Sequence, residues 1–420
     1  YSTTDTGDAL ISAGSPFVRH SSSRQICDYG MVRAALLKDA TGFLDGLDGP
    51  FSFCLHISLT GEILLAADRI ASRPVWYASV GGMSVAGTFP TTLLPFLPEV
   101  RFDPAGLYSL FFYSRQFGSR GLFDGVRRLR GGEIVTIKQD GSISQSRWYR
   151  LRYDPHPVRN LKEYAVEVSE ALHNSASRIQ ATHSDPHLFL SGGMDSRLAA
   201  AVLAPNIRSV TLTNASNMNS RTAERVARAL KMEHETVYRD AHWYLNLFDE
   251  AALISGGNYK VTHAHFVPVA RQIVERRPAA TFLLGDMLEN YSKHYFRRLP
   301  DSFDALRENG MAAELATMYA YAAPDRKTME ALVRPEVLAV MVTAWKHHMH
   351  DIIDETATVS DHLEDQADAL FRWMDATACP TYLMHECLLP YSDVDNLMYD
   401  SRTINALLHG DRVVKSNGSM

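Results

Sequence analysis

The sequence predicts two domains: an α+β domain rich in antiparallel strands, then an α/β domain with a parallel sheet and a helical carboxyl-terminal part. A chain of 420 residues usually forms two or three domains. Short apolar runs alternate with turn dipeptides in the first third, whereas strand-like and helix-like runs alternate from residue 187 onward. The polar, proline-containing stretch RLRYDPHPVRN lies between the two patterns. We therefore expect the domains to span residues 1–153 and 154–420.

Apolar runs of strand length fill the first domain. Turn dipeptides separate several of them, namely Thr60-Gly61, Gly81-Gly82 and Asp140-Gly141. Short strands joined by such turns are typical of hairpins in an antiparallel sheet. The expected strands are residues 51–58, 61–67, 74–79, 83–86 and 133–138.

The second domain opens with a helical pattern over residues 161–180. Strands and helices then alternate, which indicates a parallel sheet covered by helices, with the ligand at the carboxyl ends of the strands. From residue 301 the chain is predicted to be mainly helical. The expected strands are residues 187–190, 208–213, 234–238 and 280–284, and the helices between them are residues 198–203 and 222–231.

Composition excludes several classes of protein. Lysine and arginine number 42 against 48 aspartate and glutamate residues, so the formal net charge is −6, and we expect no nucleic-acid partner. No apolar run reaches the ~18 residues of a membrane span and residues 1–20 lack a signal-peptide pattern, so we expect a soluble, cytoplasmic protein with no membrane partner. The four cysteines lack CxxC spacing, which favours reduced, packed side chains over a zinc or redox site.

A glycine-rich hexapeptide, Ser191-Gly-Gly-Met-Asp-Ser196, follows the first predicted strand of the second domain and opens a helix. Gly192 and Gly193 permit a tight turn that points loop amides outward as a cradle for phosphates. The hydroxyls of Ser191 and Ser196 add donors to the same phosphates. Asp195 would repel phosphate, so its expected task is to hold the Mg²⁺ that neutralises the pyrophosphate. The structural alternative is a plain strand-to-helix turn capped by an aspartate or serine.

The hexapeptide lacks the Walker lysine and resembles the pyrophosphate loop, SGGxDS, of PP-loop enzymes that cleave ATP between the α and β phosphates. Over most of its length the chain resembles the asparagine synthetase family. This resemblance implies an Ntn-hydrolase-like, glutaminase-type first domain and a PP-loop ATP pyrophosphatase second domain that uses ATP and Mg²⁺. It places Leu190, the loop, Thr211 and Gly285 beside the nucleotide. The landmarks in the first domain are LDGPFSF (47–53), LLAADR (64–69), RPVWY (73–77) and LFDGVRRLRGGE (122–133).

The first domain departs from the family at its expected nucleophile. A glutaminase of this type needs an amino-terminal cysteine, because the free amine activates the thiol. The chain starts at Tyr1, and Cys27 and Cys54 lie inside the domain. No Arg-Gly-Pro-Asp-like stretch is present to hold glutamine. We therefore expect a degenerate glutaminase domain that makes no ammonia.

The family's second acidic motif is matched by Gly285-Asp-Met-Leu-Glu289, directly after the predicted strand 280–284. The resemblance assigns Glu289 as the second metal ligand, in place of the usual aspartate. It assigns Asp286 as the acid that accepts a proton from an attacking amine. The alternative is that Asp286 caps a helix and Glu289 is solvated.

Two basic residues complete the expected catalytic set. Arg197 directly follows the loop and would reach a phosphate or the substrate carboxylate, or else face water. Residues 389–393 (LPYSD) resemble a Pro-Phe-Leu-Asp segment of the family, after which its amide-forming members place a lysine. Lys415 comes 22 residues after Asp393 and would stabilise the negative tetrahedral intermediate from a flexible tail. Arg412 competes for this role, and a solvated terminal lysine is the alternative.

The predicted function is an ATP- and Mg²⁺-dependent ligase that adenylates a carboxylate and lets an amine attack, releasing AMP and pyrophosphate. Without a glutaminase, the amine comes from the substrate itself or from a second molecule. This combination resembles the lactam-forming branch of the family, the β-lactam synthetases and the macrolactam cyclases of lasso-peptide biosynthesis. The expected partners are a small-molecule or peptide substrate and a pathway protein such as a leader-peptide-processing protein. A catalytically degenerate ATP-binding scaffold and an ammonia-dependent asparagine synthetase stay open as alternatives.

Overall fold

The computed structural model describes residues 2–3, 7–19, 28–154, 156–293, 308, 310–311, 326–378 and 382–416. The strands of the first domain are β1 (Ser2–Thr3), β2 (Ala9–Gly14), β3 (Phe17–Val18), β4 (Leu47–Asp48), β5 (Phe51–Ile57), β6 (Glu62–Ala67), β7 (Trp76–Val80), β8 (Met83–Gly87), β9 (Arg127–Arg128), β10 (Glu133–Ile137) and β11 (Ile143–Arg147). Six of them form an antiparallel sheet in the order β1-β2-β5-β6-β10-β11. Two smaller antiparallel sheets have the orders β3-β4 and β8-β7-β9.

Both faces of the central strands β5 and β10 of this sheet are largely buried, and successive side chains of a strand point to opposite faces. On one face Phe53 and Leu55 of β5 pack with Leu36 of helix α1 (Tyr29–Asp45). On the other face Leu65 of β6 packs with Tyr77 of β7. The first domain is therefore a sheet covered by a helix on one side and a small sheet on the other.

All five strands predicted for the first domain are present, with ends that differ by no more than two residues. The prediction missed β2, β11 and both helices of this domain. The second helix, α2 (Pro104–Tyr113), has the sequence PAGLYSLFFY and buries side chains on most of its surface. A short apolar run without a 3.6-residue period does not distinguish a buried helix from a buried strand.

The second domain contains a five-stranded parallel sheet in the order β14-β13-β12-β15-β16. Its strands are β12 (Asp185–Phe189), β13 (Arg208–Thr213), β14 (Glu233–Tyr238), β15 (Ala280–Leu284) and β16 (Val394–Asp395). The predicted parallel sheet is confirmed, and β13 and β15 have the predicted bounds. The two-residue strand β16 was not predicted, because it is too short to show a period.

Helices cover this sheet and form most of the described residues after 326, in agreement with the predicted helical character of this region. They are α3 (Leu161–Thr182), α4 (Met194–Leu203), α5 (Met218–Ala229), α6 (Phe248–Ser255), α7 (Val267–Arg276), α8 (Leu288–Ser292), α9 (Arg326–Leu332), α10 (Pro335–Thr356), α11 (Leu363–Asp368), α12 (Leu383–Glu386), α13 (Ser401–His409) and α14 (Arg412–Ser416). Within the described residues, none of the helices has the length and apolar character needed to cross a membrane.

The order of the strands creates a crevice between β12 and β15. The chain leaves β12 toward β13 and β14 on one side, whereas β15 and β16 lie on the other side. The loops that follow β12 and β15 therefore diverge at the carboxyl edge of the sheet. Ligands of open α/β sheets bind at such a point, and both predicted motifs follow these two strands.

Buried ion pairs connect the two domains. Arg73 donates to the Asp393 carboxylate at 2.6 Å, and Arg128 donates to the Glu386 carboxylate at 2.9 Å. The segment 389–393 thus binds the first domain through Asp393 and leads into β16. The predicted boundary between residues 153 and 154 stays a prediction.

Candidate functional site

The loop of residues 191–193 joins β12 to α4 and is shaped by two serine hydroxyls. The Ser196 hydroxyl donates to the Ser191 carbonyl at 3.0 Å and accepts from the Ser191 N–H at 3.1 Å. The Ser191 hydroxyl accepts from the Gly193 N–H at 3.1 Å and lies 2.8 Å from the Ser196 oxygen. These hydroxyls therefore hold the turn itself, and their predicted contacts with phosphate stay predictions.

Gly192 has no space for a side chain. A Cβ atom there would lie 2.3 Å from Asn219 Oδ1 and 2.7 Å from the Asn219 carbonyl oxygen. The first turn of α5 thus lies directly against the loop. Glycine at this position permits the close approach of the loop and this helix.

The amino terminus of α4 is free of side-chain caps. Its N-cap residue is Gly193, with φ −69° and ψ 159°, and no side chain accepts from the first-turn amides. The alternative of a turn capped by an aspartate or serine is therefore wrong for this helix. Uncapped N–H groups and the positive end of the helix dipole favour an anion at this position.

Two carboxylates meet beside this helix end. Asp195 lies in the first turn of α4 and Glu289 in the first turn of α8. Burial and the negative charge of Glu289 raise the pKa of Asp195. The Lys293 ammonium donates to Glu289 Oε2 at 2.8 Å and lowers the pKa of Glu289. The structure therefore brings together the two residues predicted to bind the metal.

The donor set fits Mg²⁺. In nucleotide sites this ion is held by one or two carboxylates together with phosphate oxygens and water. A cation between Asp195 and Glu289 would remove the repulsion that raises the pKa of Asp195. In the part of the chain that the structure describes, no group of three or more histidine, cysteine or acidic side chains forms a metal site. Mg²⁺ would therefore need ligands from the nucleotide.

Gly285 sets the distance between the two motifs. It follows β15 and lies against the first turn of α4, where a Cβ atom would be 2.6 Å from Ser196 Cα and 3.1 Å from Ala199 Cβ. This close packing accounts for a glycine at the position. Its predicted direct contact with the nucleotide stays a prediction.

Asp286 is held by two buried side chains of the second domain. His385 Nε2 lies 2.9 Å from both carboxylate oxygens, and the Asn396 side chain donates to Oδ1 at 2.9 Å. The Asp286 side chain is 27% exposed, so an edge of the carboxylate reaches solvent. Its charge also raises the pKa of Asp195, which places the two acids near each other. Asp286 does not cap α8, because its carboxylate is bound by His385 and Asn396 and the N-cap residue of this helix is Met287.

Three other predicted residues support the loop. The Leu190 N–H donates to the Val210 carbonyl at 2.9 Å, and the Thr211 hydroxyl donates to the Leu190 carbonyl at 2.7 Å. Arg197 turns back along its own helix and donates to the Gly193 carbonyl at 3.2 Å. This hydrogen bond lies at an exposed position. The predicted contacts of all three with ligand stay predictions.

The location of Lys415 differs from the predicted one. The flexible tail predicted for it is wrong, because Lys415 lies in α14 and is only 2% exposed. Its ammonium stands 4.7 Å from the ring centroid of Tyr153. Burial lowers the pKa of Lys415 to about 7, although Asp365 and Asp368 oppose this effect. The competing Arg412 lies 3.2 Å from His362 Nε2.

The sequence reasoning missed three side chains of this site: Lys293, His385 and Asn396. Lys293 stands four residues after Glu289, a helical spacing that favours an ion pair. His385 lies in the apolar run YLMHECLL, and a buried histidine needs a hydrogen-bond partner. Nothing local distinguishes Asn396, which comes directly after β16.

The described cysteines do not offer a reactive thiol. Cys54 lies in β5, where burial raises its pKa to about 11. Burial raises the pKa of Cys387 well above its usual value. A thiolate is the nucleophilic form, so both side chains fit the predicted packing role. Cys27 and Cys379 lie outside the described residues.

A cavity of about 390 Å³ lies at the opposite, amino edge of the parallel sheet, among residues near the starts of β12, β13 and β14. The arginines that line it are paired with nearby carboxylates. The pairs are Arg208 with Asp185 and Glu233, Arg276 with Glu235, and Arg277 with Glu233. Charges that are paired in this way leave little attraction for a phosphate, and the cavity is separate from the crevice that holds the two motifs.

Comparison with known protein families supports both domains. Residues 20–149 match a glutamine amidotransferase domain, and residues 167–265 match asparagine synthase. The asparagine synthetase [glutamine-hydrolyzing] 3 of Bacillus subtilis is 24% identical over 208 residues, which are 49% of this chain and 32% of that protein. A putative glutamine-hydrolyzing asparagine synthetase of Mycobacterium tuberculosis is 28% identical over 183 residues, 41% of this chain and 28% of that protein.

The chain therefore spans about a third of the length of these curated relatives. Among solved structures, the NMN synthetase of Francisella tularensis aligns with 46% of this chain and 96% of its own, at 15% identity and a TM-score of 0.25. The glutamine-dependent NAD⁺ synthetase of Acinetobacter baumannii covers 68% of this chain and 58% of its own, at 13% identity and a TM-score of 0.24. Similarities this weak carry no argument. The sequence matches confirm the resemblance to asparagine synthetases without distinguishing a branch: the chain contains a glutamine amidotransferase domain followed by an asparagine synthase domain.

Proposed function

We propose that the chain is an ATP- and Mg²⁺-dependent amide synthetase that closes a lactam or macrolactam in natural-product biosynthesis. A substrate carboxylate takes AMP from ATP and pyrophosphate leaves; an amine then attacks the acyl carbon, and AMP leaves. One observation carries this proposal: the uncapped amino terminus of α4, the tight loop before it and the carboxylates of Asp195 and Glu289 converge at the crevice between β12 and β15. Phosphates and Mg²⁺ are the ligands for which such a group of donors is suited.

The residues have separate tasks in this proposal. The α4 amides bind the pyrophosphate part of ATP, and Asp195 and Glu289 would hold Mg²⁺, which supplies charge neutralisation to the departing pyrophosphate. Asp286 accepts the proton of the attacking amine, because its carboxylate is oriented by two side chains and keeps an open edge. Lys415 supplies positive charge to the developing oxyanion only if α11 and α14 rearrange, because it is buried beside Tyr153.

The source of the amine separates this proposal from glutamine-dependent amide formation. The described cysteines, Cys54 and Cys387, both have raised pKa values and are unsuited to attack glutamine. In this proposal the amine is carried by the substrate itself or by a second molecule. Exposed apolar side chains lie at the end of β14 and after it, namely Tyr238, Leu245 and Phe248. They favour a bulky or peptide substrate, for which a leader-peptide-processing protein would be the pathway partner.

The test is pyrophosphate release by the purified chain with ATP, Mg²⁺ and a panel of acids. The panel holds linear peptides with a free amine and side-chain carboxylates, carboxyethyl amino acids that can close a four-membered lactam, and aspartate with ammonium. We expect release, with a product lighter by one water, only from acids of the first two kinds. Release with aspartate and ammonium would favour the second candidate, asparagine formation, which the curated relatives support. No release from any acid would support the scaffold alternative and contradict the proposal.

Asp195→Asn tests the metal assignment within the same assay. The change removes a full ligand charge, so we expect pyrophosphate release to fall by at least ~100-fold. The matched control is Asp249→Asn, which removes the same charge from the first turn of α6, at an exposed position. Equal activity of the Asp195→Asn variant and this control would refute the role of Asp195. The fold should be kept, because the change also removes repulsion between Asp195 and Glu289.

A further inference from the structure

Arg239 is a half-buried arginine at the carboxyl edge of the parallel sheet. It directly follows β14, and its N–H donates to the carbonyl oxygen of Thr213, the last residue of β13, at 2.7 Å. Its Nη1 donates to the Tyr244 hydroxyl, whereas its Nε is buried and has no acceptor among the described residues. In the same part of the chain no carboxylate pairs with Arg239, unlike the buried Arg128 and Arg178, which both have one. A half-buried guanidinium without a carboxylate partner favours an anionic ligand.

Tyr244 adds a second donor beside this guanidinium. Its hydroxyl oxygen accepts from Arg239, so its own proton is left for another acceptor, and the described residues supply none. The guanidinium stands 5.7 Å from the centroid of the Tyr244 ring, which keeps the two groups together. The adjacent carboxylate of Asp240 accepts from the His242 N–H at 2.8 Å instead. Arg239 and Tyr244 are thus suited to bind the oxygens of one carboxylate.

His265 brings a hydrogen-bond acceptor to the same place. Its Nδ1 lies 2.7 Å from the carbonyl oxygen of Thr262, which has no proton to give, so Nδ1 is the donor. Burial and the charge of Arg239 lower the pKa of His265 to about 4, so the ring is neutral at pH 7 and its Nε2 carries a lone pair. The Trp243 indole donates to the His265 carbonyl oxygen at 2.9 Å, which holds the segment of Tyr244 against the residues before α7.

These side chains lie at the same edge of the sheet as the predicted phosphate loop. The ring of Phe266, the residue after His265, stacks on Phe189 with centroids 4.0 Å apart. Phe189 is the last residue of β12, two positions before the loop of residues 191–193. The exposed apolar side chains proposed to favour a bulky substrate come from the stretch 238–248, which also contains Arg239 and Tyr244. A substrate that extends from the loop toward β14 would therefore meet Arg239.

We propose that Arg239 and Tyr244 bind a carboxylate of the substrate that does not react, while His265 accepts a hydrogen bond from the N–H group on the neighbouring carbon. The carboxyl terminus of a peptide has this combination of groups. The inference rests on the proposed function, because it describes the acid that is adenylated beside the loop. It narrows the substrate class to peptides with two carboxylates, one that takes AMP and one that stays charged at Arg239.

The test is NMR of the full chain labelled with ¹⁵N-tryptophan and titrated with N-acetylglycine, a minimal mimic of a peptide carboxyl terminus. The Trp243 indole is the reporter, assigned by the signal that disappears in Trp243→Phe, and the buried Trp345 indole is the internal control. We expect N-acetylglycine to move the Trp243 signal to saturation, with a Kd of about 10 mM or lower. N-acetylglycinamide lacks the charge and should bind at least ~10-fold more weakly. Inorganic phosphate should also bind more weakly than N-acetylglycine.

Arg239→Gln keeps a polar side chain but removes the charge, so we expect the Kd of N-acetylglycine to rise at least ~10-fold. Tyr244→Phe removes only the second donor and should raise the Kd by ~3-fold or more. The matched control is Arg271→Gln, which removes the same charge from an exposed position of α7 and should bind like the wild type. An unmoved Trp345 signal in each variant reports that the fold is kept.

Levulinate tests the role of His265, because it has the shape of N-acetylglycine with a CH₂ group in place of the N–H. We expect the wild type to bind N-acetylglycine at least ~3-fold more tightly than levulinate. His265→Leu removes the Nε2 acceptor and should bind the two compounds equally.

Four results would overturn the inference. They are a Trp243 signal that N-acetylglycine does not move, a Kd that Arg239→Gln leaves unchanged, equal binding of levulinate and N-acetylglycine by the wild type, and tighter binding of inorganic phosphate, which would assign Arg239 to a nucleotide phosphate. Because the titration needs neither ATP nor the acid substrate, a negative pyrophosphate assay would leave the binding result standing. A lack of binding would in turn remove the second carboxylate from the substrate class without contradicting the proposed ligase activity.

Discussion

Gly285→Ala tests the packing between the two motifs directly, because it adds one methyl group at the point where they contact each other. The new Cβ would lie 2.6 Å from Ser196 Cα and 3.1 Å from Ala199 Cβ. Carbon atoms pack at about 3.5–4.0 Å, so α4 must recede by about 1 Å from the end of β15. The nearest atom belongs to the backbone, and no side chain can turn away to relieve the clash. Overpacking of this kind costs about 1–3 kcal/mol.

The displacement of α4 carries the loop amides and Asp195 away from Glu289. We expect the dissociation constant of Mg-ATP to rise at least ~10-fold, since 1.4 kcal/mol corresponds to a factor of ten. Isothermal titration calorimetry measures this binding without knowledge of the acid substrate, and thermal unfolding measures the cost to stability. The matched control is Gly30→Ala in α1, where the new Cβ would lie 3.3 Å from an exposed carboxylate oxygen of Asp28. Unchanged Mg-ATP affinity in Gly285→Ala would show that the spacing between α4 and β15 does not set the site.

Two further predictions concern stability. Arg178→Met removes the fork in which Arg178 donates to both Asp395 oxygens at 2.6 and 2.8 Å, and we expect urea unfolding at pH 7 to show a loss of about 3–5 kcal/mol. Burial alone would raise the pKa of Asp395, but the charges and hydrogen bonds of Arg178 and His183 outweigh burial, so the pKa is lowered. The stability that this ion pair contributes should therefore be lost as the pH falls below about 4. Arg159→Met, at an exposed pair, should cost under ~1 kcal/mol; equal losses would refute the reasoning. Lys415 loses its proton near pH 7 when folded but near 10.5 when unfolded, so between these values the wild type should gain stability relative to Lys415→Met as pH rises. Parallel stability curves of the two proteins would contradict the buried, weakly basic lysine.

Local patterns in the chain were sufficient for the main elements of both domains. Five of the strands of the first domain and the parallel sheet of the second were predictable, because apolar periodicity and turn dipeptides act over a few neighbouring residues. The loop of residues 191–193 was predictable for the same reason: two glycines between a strand and a helix impose a tight turn whatever packs around it. The helix α2 was not predicted, because its apolar residues do not repeat with a helical period of 3.6 residues.

The placement of side chains around the loop depended on tertiary structure. Asp286 was expected as the acid that accepts a proton, with no hydrogen-bond partner named for it, whereas the fold supplies it with His385, 99 positions away. Lys415 was expected on a flexible tail, whereas it is buried beside Tyr153. Arg197 was expected either to reach a ligand or to face water, and the structure adds a hydrogen bond from its guanidinium to the carbonyl of Gly193.

The physical reason for this division is the range of the interactions involved. Turns, caps and periodic faces satisfy backbone hydrogen bonds within one segment, so the residues of that segment specify them. The partner of a buried carboxylate or ammonium is chosen by desolvation, which depends on every element that packs around the group. The sequence of the chain therefore determined the strands, the loop and the family of chemistry, and only the packing of α12, β15 and β16 decided which side chains hold Asp286.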